Sequence, residues 1–294
     1  METQVFVQRR KALKISQVKL CQGICTQATL SKFESNRRVP ALSILSKLCV
    51  RLGLTVDDLY QDQSSAATLQ TELNDIEREL MVEDYQGVLK RLTKVDERQI
   101  DALNSQMQLC YLRGMVNALI NRQPDDILFD FSRILNDLDE KHQTIFTQLA
   151  FLGSGIMYAR HQQLTQASFY FDKVYQYVKE IQSGEVYDDK NQYYLRILTL
   201  IFFTAEFYAG QENYRRSNWL IEAGLKICCG EHVTYYLPRI KFLAAQNAIN
   251  LRHDPNEIQQ LLEDTLAFAR INQNEVVQVK LAALKCQFKQ QCAE

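Results

Sequence analysis

Side chains able to bind phosphate, bases or metal ions are concentrated near the N-terminus of this 294-residue sequence, between Ser16 and Pro40. The stretch reads SQVKLCQGICTQATLSKFESNRRVP and contains two thiols, Cys21 and Cys25, together with hydroxyl, amide and basic groups. Thiols at this spacing could form half of a zinc site. The other groups are those that donate hydrogen bonds to phosphate oxygens and base edges, or that simply face water.

A metal site is disfavoured by what surrounds the two thiols. No second pair of Cys or His residues follows at a ligand spacing, and the four histidines are scattered along the chain. The N-terminus has no apolar export signal, so we expect mostly small buried cysteines in a reducing compartment. The eight cysteines are Cys21, Cys25, Cys49, Cys110, Cys228, Cys229, Cys286 and Cys292. The sequence therefore predicts neither a metal ion nor another cofactor.

Local charge distinguishes the N-terminal stretch from the rest of the chain. Between Val5 and Pro40 there are eight Lys or Arg residues and one acid, Glu34, which gives a formal charge of +7. The whole chain carries 34 basic and 35 acidic residues, a net charge of -1. Attraction to phosphate must therefore be local to this segment, because the chain as a whole has no general affinity for nucleic acid or anionic lipid.

Five short amphipathic segments separated by turn signals are predicted between residues 5 and 60. Ser16 is a candidate N-cap for the second segment, and Thr26 is one for a third helix over residues 27–35. Gly23 marks the turn between these two helices. Asn36 is expected to end the third helix, since Asn tolerates the left-handed conformation.

The fourth and fifth segments complete a small helical domain. Pro40 precedes the fourth helix, and Gly53 and Thr55 provide the turn and the cap for the fifth. The side chains expected to face the core are Val18, Leu20 and Cys21 in the second helix, Leu30 and Phe33 in the third, and Leu42, Ile44, Leu45, Leu48 and Leu52 in the fourth.

This N-terminal domain resembles the repressor-like (XRE/Cro-type) helix-turn-helix domains of bacterial and phage regulators. The turn around Gly23 is slightly shorter than the common pattern, and Asn36 stands where the family usually has Gly. The matching segments are SQ at residues 16–17, LC at 20–21, TLSKFE at 29–34, NRRVP at 36–40 and LGLTVDDLY at 52–60.

The resemblance implies binding to double-stranded DNA, with the third helix in the major groove. Its N-terminal residues and Lys32 are expected at base edges, while neighbouring polar and basic residues contact phosphate. The alternative is a solvated polar face, which would be the better interpretation of a charged pair alone. The candidate DNA-contact residues are Gln17, Thr26, Gln27, Ala28, Thr29, Ser31, Lys32, Arg37 and Arg38.

A polar stretch, QDQSSAATLQTELNDIE at residues 61–77, separates this domain from the rest of the chain. Beyond it the sequence predicts helices with almost no strand candidates, in keeping with only 10 Gly and 4 Pro. We therefore predict an all-α fold with a five-helix domain at residues 1–62, a linker or linker helix at 63–75 and a helical repeat domain at 76–294.

Internal similarity is the informative feature of the C-terminal part. Two segments fifty residues apart share their small and aromatic positions at the same intervals, which resembles tetratricopeptide repeats. An unrelated helical bundle is the alternative. The positions are Gly155, Tyr158, Leu164, Ala167, Phe171 and Val174 in the first segment, and Ala205, Tyr208, Tyr214, Ser217, Ile221 and Gly224 in the second.

Stacked helix pairs of this kind form an α-solenoid whose first helices line an extended concave face. By repeat register this face should present a largely apolar groove with few charges, suited to a short extended peptide. Three Asn residues in the same layers could bind the peptide backbone, or could be ordinary polar helix residues. The candidate peptide-binding residues are Asn117, Leu152, Ile156, Arg160, Phe202, Glu206, Asn247, Asn250 and Arg252.

The two-part layout resembles the peptide-pheromone-responsive regulators of Gram-positive bacteria, of the Rgg/PlcR/PrgX-like type. The resemblance implies a cytoplasmic homodimer that pairs through residues beyond 70 and binds promoter or operator DNA. A short peptide pheromone in the solenoid would control its effect on transcription, as in quorum sensing. The alternative is a helix-turn-helix regulator whose repeat domain binds a protein partner and no peptide effector.

An enzyme and a membrane protein are disfavoured by what the sequence lacks. There is no GxxxxGK[ST], HExxH or GxSxG motif, and the pairs Asp125-Asp126 and Asp188-Asp189 look like helix-start and loop acids. No 18-residue apolar run is long enough to span a bilayer. We therefore expect a non-enzymatic protein without a membrane partner.

Overall fold

The structure is a computed structural model that describes residues 3–35, 38–56, 65–182 and 193–291. Every regular element in these ranges is helical, which confirms the predicted all-α fold. The chain divides into two compact units, Met1–Glu72 and Leu73–Glu294. No helix in the described ranges is long and apolar enough to cross a membrane.

The first unit contains four described helices before the segment that joins it to the second. They are α1 (Thr3–Ala12), α2 (Gln17–Cys21), α3 (Gln27–Glu34) and α4 (Leu42–Leu52). The predicted caps of α2 and α3 are confirmed, since Ser16 Oγ accepts from Lys19 N at 3.2 Å and Thr26 Oγ1 from Thr29 N at 3.3 Å. Asn36 and most of the predicted fifth helix lie outside the described residues.

Packing of this unit depends on a small apolar core between the four helices. Phe6 of α1 meets Phe33 of α3 edge to face with ring centroids 5.1 Å apart, and Cys21 and Cys49 are buried among the surrounding leucines. Arg51 of α4 donates to the backbone oxygens of Leu20 and Gln22 at 2.9 and 2.7 Å. The end of α2 is therefore held against α4 by side-chain hydrogen bonds from Arg51, in addition to the apolar contacts.

Two of the side chains predicted to face this core do not. Val18 is 60% exposed and Leu42 is 68% exposed. Successive helix residues are rotated by about 100°, so Val18 lies roughly opposite to the buried Leu20 on the short helix α2. Leu42 is the first residue of α4 and lies beyond the end of the core that Leu45 and Leu48 fill.

The second unit is a succession of helix pairs. Its helices are α5 (Ser65–Met81, which begins in the first unit), α6 (Tyr85–Leu92), α7 (Leu103–Leu119), α8 (Pro124–Arg133), α9 (Ile145–Arg160), α10 (Leu164–Gln182), α11 (Tyr193–Gly210), α12 (Tyr214–Gly230), α13 (Leu237–Asn250), α14 (Pro255–Ile271) and α15 (Glu275–Gln291). A 3-10 turn (Glu97–Gln99) and a π-helical turn (Ile134–Leu138) interrupt the series.

Contacts between these helices follow the pattern of tetratricopeptide repeats. The two helices of each pair from α7–α8 to α13–α14 pack on each other, and the first helices α7, α9, α11 and α13 contact one another in chain order. Each second helix also contacts the first helix of the next pair. The predicted repeat architecture is therefore confirmed for the described part of the unit.

One turn geometry recurs inside five successive helix pairs. A residue in the left-handed conformation follows the first helix, and the next residue donates back to a carbonyl in the last turn, as Gln163 N does to Tyr158 O at 2.9 Å. Because none of the five is Gly, each carries the strain of a side chain at positive φ. They are Glu83, Asn121, Gln162, Glu212 and Arg252, with φ between 54° and 67°.

Close helix contacts explain several glycines of the repeats. A Cβ atom on Gly155 would lie 3.1 Å from the ring of Phe171, and one on Gly153 would lie 2.0 Å from the ring of Phe131. Phe171 in turn stacks on Phe207 of α11 with centroids 4.0 Å apart. Small residues on α9 therefore make room for large rings from the neighbouring second helices.

The end of α5 is bound to the first helices of later pairs. Glu77 accepts two hydrogen bonds of 2.9 Å from Arg196 of α11 and one of 2.7 Å from Gln108 of α7. All three side chains are buried, and the Arg196 guanidinium lies 4.5 Å above the Phe146 ring. This network fixes α5 from Leu73 onward within the second unit.

Candidate functional site

The outer face of α3 presents polar side chains at the positions expected for DNA contact. Gln27, Ala28, Ser31 and Lys32 are exposed, whereas Leu30 and Phe33 are buried against the core. The N-terminal turn of α3 therefore carries amide, hydroxyl and ammonium groups that are free to meet base edges and phosphate.

The hydroxyl groups of Thr26 and Thr29 are partly engaged in hydrogen bonds at the N-terminus of α3. Their hydroxyl oxygens lie 2.9 Å apart, and Thr29 is half-buried instead of fully outward as predicted. Each hydroxyl has further hydrogen-bonding capacity, but its direction is set by the cap. The geometry therefore leaves Gln27 as the less constrained candidate for base contact.

The acid at the end of α3 neutralises a base of α1. Glu34 accepts from Arg10 at 2.6 and 2.8 Å and from the Gln17 amide at 2.8 Å, which raises the pKa of the Arg10 guanidinium. Glu34 therefore adds little repulsion towards phosphate, and Gln17 is oriented with only part of its amide free. Sequence reasoning missed this pairing, although Glu34 is the only acid among the surrounding bases.

Basic side chains near α2 and α3 are exposed, but not all are free. Arg9 donates to Leu52 O at 3.2 Å and Arg51 binds backbone oxygens, so both have structural roles. The predicted contact residue Arg38 is exposed, and Arg37 lies outside the described residues. The exposed lysines of this surface are Lys11, Lys14, Lys19 and Lys32.

A cleft of about 340 Å³ lies in the second unit beside α9, α10 and α11. It brings together three of the predicted peptide-binding residues, Ile156, Arg160 and Glu206. Its remaining walls are mostly apolar and are formed by Leu119, Ala159, Leu164, Phe171, Phe203, Phe207 and Gly210, with Gln162 and Gln211 at the turn ends. A cleft with apolar walls and two opposite charges suits an amphipathic ligand.

Glu206 is an unpaired carboxylate in this cleft. Its side chain reaches solvent, yet no hydrogen-bond donor or cation within 4 Å is present among the described residues. Burial among surrounding protein raises the pKa of its carboxyl, and the nearby charges of Arg239, Lys280 and Arg160 oppose this effect. The carboxylate is therefore available to a ligand.

Three predicted peptide-binding side chains are buried in the core. Leu152 is fully buried, Phe202 lies beneath the Arg239 guanidinium at 4.0 Å, and Asn247 is 1% exposed. Asn247 donates to Ser217 at 2.9 Å and to Asn218 at 2.7 Å. A ligand could contact these side chains only if the residues that cover them moved. The predicted peptide-binding row therefore includes side chains that point into the core instead of into the cleft.

The other predicted residues lie at different places on the unit. Asn117 is half-buried on α7, and Asn250 is exposed as the last residue of α13. Arg252 follows that helix in a left-handed turn with φ 54°, so it does not continue the helical row. The structure therefore does not bring these three into the α9–α11 cleft.

Sequence reasoning missed the charged residues next to the cleft. Arg239 of α13, Lys280 of α15 and Glu83 of the α5–α6 turn act electrostatically on Glu206. For Arg239 the available signal was its position between Pro238 and Ile240 on an apolar helix. In the described ranges no group of His, Cys, Asp or Glu could hold a metal ion.

Cysteines are buried less often than the sequence suggested. Cys21, Cys49, Cys110 and Cys228 are buried, and burial raises the pKa of the Cys110 thiol to about 11. Cys25 is half-buried, whereas Cys229 and Cys286 are exposed and Cys292 lies outside the described residues.

Residues 7–59 match the helix-turn-helix family model HTH_3. Comparison with curated protein sequences gives no significant match. The first unit is therefore a helix-turn-helix domain of the predicted type.

Solved structures with the same fold cover nearly the whole chain. Bacillus thuringiensis PlcR in complex with the peptide PapR7 and DNA has a TM-score of 0.70 at 13% identity, over 95% of this chain and 98% of that one. S. thermophilus ComR in complex with DNA and its signalling peptide ComS has a TM-score of 0.69 at 16% identity, over 96% and 98%. The Streptococcus dysgalactiae pheromone receptor Rgg2 has a TM-score of 0.51 at 12% identity, over 98% and 99%.

Proposed function

We propose that this chain is a transcription regulator of the Rgg/PlcR-like type, in which the helix-turn-helix unit binds operator DNA and the repeat unit binds a short signalling peptide. The observation that carries the DNA part is the outer face of α3, where Gln27, Ser31 and Lys32 are exposed. Because Glu34 is already paired with Arg10, the exposed lysines, Lys11, Lys14, Lys19 and Lys32, determine the charge of that surface.

The peptide part is supported by the α9–α11 cleft and by the fold. The cleft combines aromatic walls with the opposite charges of Arg160 and Glu206, which suits the side chains and polar backbone of a peptide. The proteins of the same fold, PlcR and ComR, have been seen with both DNA and a signalling peptide.

A homodimer in the cytoplasm completes the proposal. One helix-turn-helix unit reads only a few base pairs, so useful specificity needs two copies on half-sites about one helical turn apart. The second unit, beyond residue 70, offers the larger surface for pairing. The peptide would act by favouring one arrangement of the two DNA-binding units.

Selection of bound sequences from a pool of random DNA duplexes tests the DNA part. The full chain should enrich a two-fold related motif, and its affinity should fall steeply with salt because phosphate contacts release counterions. Gln27→Ala should lower the preference for the motif by about 1–3 kcal/mol. Gln287→Ala, an exposed Gln on α15, is the matched control and should change nothing.

Failure to enrich any motif would contradict the DNA part. An enriched motif bound equally well by the wild type and Gln27→Ala would exclude α3 as the reader. Cell extract can also be passed over the chain to see what it retains. If the chain binds its motif but retains an intact protein and no peptide, the protein-partner alternative is favoured.

A further inference from the structure

Arg239 is a buried cation whose hydrogen-bonding capacity is not filled. Its side chain is 5% exposed, and its guanidinium lies 4.0 Å above the Phe202 ring and 4.9 Å above the Phe203 ring. No described residue provides a hydrogen-bond acceptor for Nη1. Burying donors of a charged group without acceptors is costly, so an acceptor is missing from this site.

The counter-ion of Arg239 is held loosely. Glu83 Oε1 lies 3.7 Å from Arg239 Nη2 and 3.4 Å from Lys280 Nζ, both longer than a normal charged hydrogen bond. The other carboxylate oxygen of Glu83 is buried and has no partner in the described part of the chain. The Glu83–Arg239 contact therefore leaves one carboxylate oxygen and one guanidinium nitrogen without a hydrogen bond from the described residues.

Glu83 occupies this position from a strained turn. It joins α5 to α6 with φ 67°, in the left-handed region, where a residue with a side chain is strained. A carboxylate held by long contacts from such a turn can be displaced by one that fits better.

The Arg239 site adjoins the α9–α11 cleft. Phe203, which lies beneath Arg239, is also part of the cleft wall, and Glu206 of the cleft is influenced by both Arg239 and Lys280. The buried Arg239 site is therefore next to the cleft, behind its Phe203 wall.

We propose that Arg239 and Lys280 form a carboxylate subsite of the peptide cleft, which Glu83 occupies in the free protein and a carboxylate of the bound peptide takes over. This rests on the proposed peptide-sensing function. A planar carboxylate matches the fork of a guanidinium in two hydrogen bonds, whereas a neutral carbonyl would leave two cations without the charge that Glu83 supplies. Displacement of Glu83 would release the turn that joins α5 to α6.

Affinity selection on the full chain from three random heptapeptide libraries tests the subsite. The first has a free C-terminal carboxylate and no Asp or Glu, the second is amidated and contains Asp and Glu, and the third is amidated without them. Peptides should be enriched from the first or the second library and not from the third. The first two distinguish a terminal from a side-chain carboxylate.

Variants then test the residues with the best enriched peptide. Lys280→Gln, a half-exposed side chain, should weaken binding at least fivefold, and Arg239→Gln should weaken it further if its melting temperature shows a folded chain. Glu83→Gln should strengthen binding at least threefold because it removes the competing charge. Lys289→Gln, exposed on the same helix as Lys280, is the matched control.

Three outcomes overturn the proposal, and they differ in whether peptide sensing is retained. Enrichment from the third library at the same level, or unchanged affinity in both Lys280→Gln and Glu83→Gln, removes the subsite but keeps peptide sensing. No enrichment from any library removes the subsite and peptide sensing together.

Discussion

Arg10 of α1 and Glu34 at the end of α3 form a two-hydrogen-bond ion pair of 2.6 and 2.8 Å, largely shielded from solvent. The pair joins the first helix of the DNA-binding unit to the helix that we propose reads DNA. Because Gln17 of α2 also donates to Glu34, one carboxylate positions three helices.

Replacement Glu34→Gln should loosen this unit, because Arg10 then loses its charged acceptor. We expect the opening free energy of the α2 and α3 amides to fall by about 1.5–3 kcal/mol, the range for hydrogen bonds to charged groups. Hydrogen exchange on the full chain measures it. The control is Lys47→Gln, at an exposed position on α4. If the α2 and α3 amides exchange equally slowly in Glu34→Gln and Lys47→Gln, the structural role of the Arg10–Glu34 pair is contradicted.

Two glycines of the repeat unit should respond in opposite ways to Ala. At Gly153 the new methyl group would lie 2.0 Å from Phe131, so Gly153→Ala should cost about 3 kcal/mol. At Gly210 no atom of the described residues lies within 4 Å of the added methyl group, so Gly210→Ala should gain up to about 1 kcal/mol. Denaturation followed by the fluorescence of Trp219 compares them, and a loss at both sites would refute the contact geometry.

The left-handed turns predict a stabilising substitution. Glu212 is exposed with φ 59°, so Glu212→Gly should raise the free energy of unfolding by about 0.5–1 kcal/mol, by removing side-chain strain. Glu212→Ala removes the same charge but keeps a Cβ atom, and it should bring no such gain. A Gly variant no more stable than the Ala variant would contradict the assigned conformation.

Glu206 should make the stability of the repeat unit depend on pH. Burial raises the pKa of its carboxyl above the usual Glu range, so the folded state binds this proton more tightly than the unfolded state does. Its contribution is fully present below the unfolded pKa, about 4.3, and is lost as pH rises through the folded pKa. Glu206→Gln should therefore raise the melting temperature near neutral pH but not near pH 4. An increase of the same size at both would show that the charge of Glu206 is not responsible.

Local features of the sequence were sufficient to predict much of the fold. Ser16 and Thr26 cap helices by bonds within three residues, and the repeat positions Ala167 and Phe171 are buried, with the Phe171 ring beside Gly155 of its own pair. The register of α9 to α12 could be inferred for the same reason, since small and large residues recur at fixed intervals.

The cleft could be predicted only in part, because its surface depends on distant segments. Repeat register correctly placed Ile156 and Glu206 together, but it could not show that α13 covers Phe202 with Arg239. Nor could it show that Glu83, from the turn after α5, reaches Arg239 and Lys280. Such contacts join residues remote in sequence and leave no local pattern.

Coupling between peptide and DNA is the most direct test of the account. Fluorescence anisotropy gives the affinity of the full chain for its selected DNA with and without the enriched peptide, and calorimetry gives the peptide affinity with and without that DNA. We predict that each ligand changes the affinity for the other by the same factor, fivefold or more, because coupling between two sites is reciprocal. Peptide and DNA affinities that are both independent of the other ligand would contradict a peptide-controlled regulator.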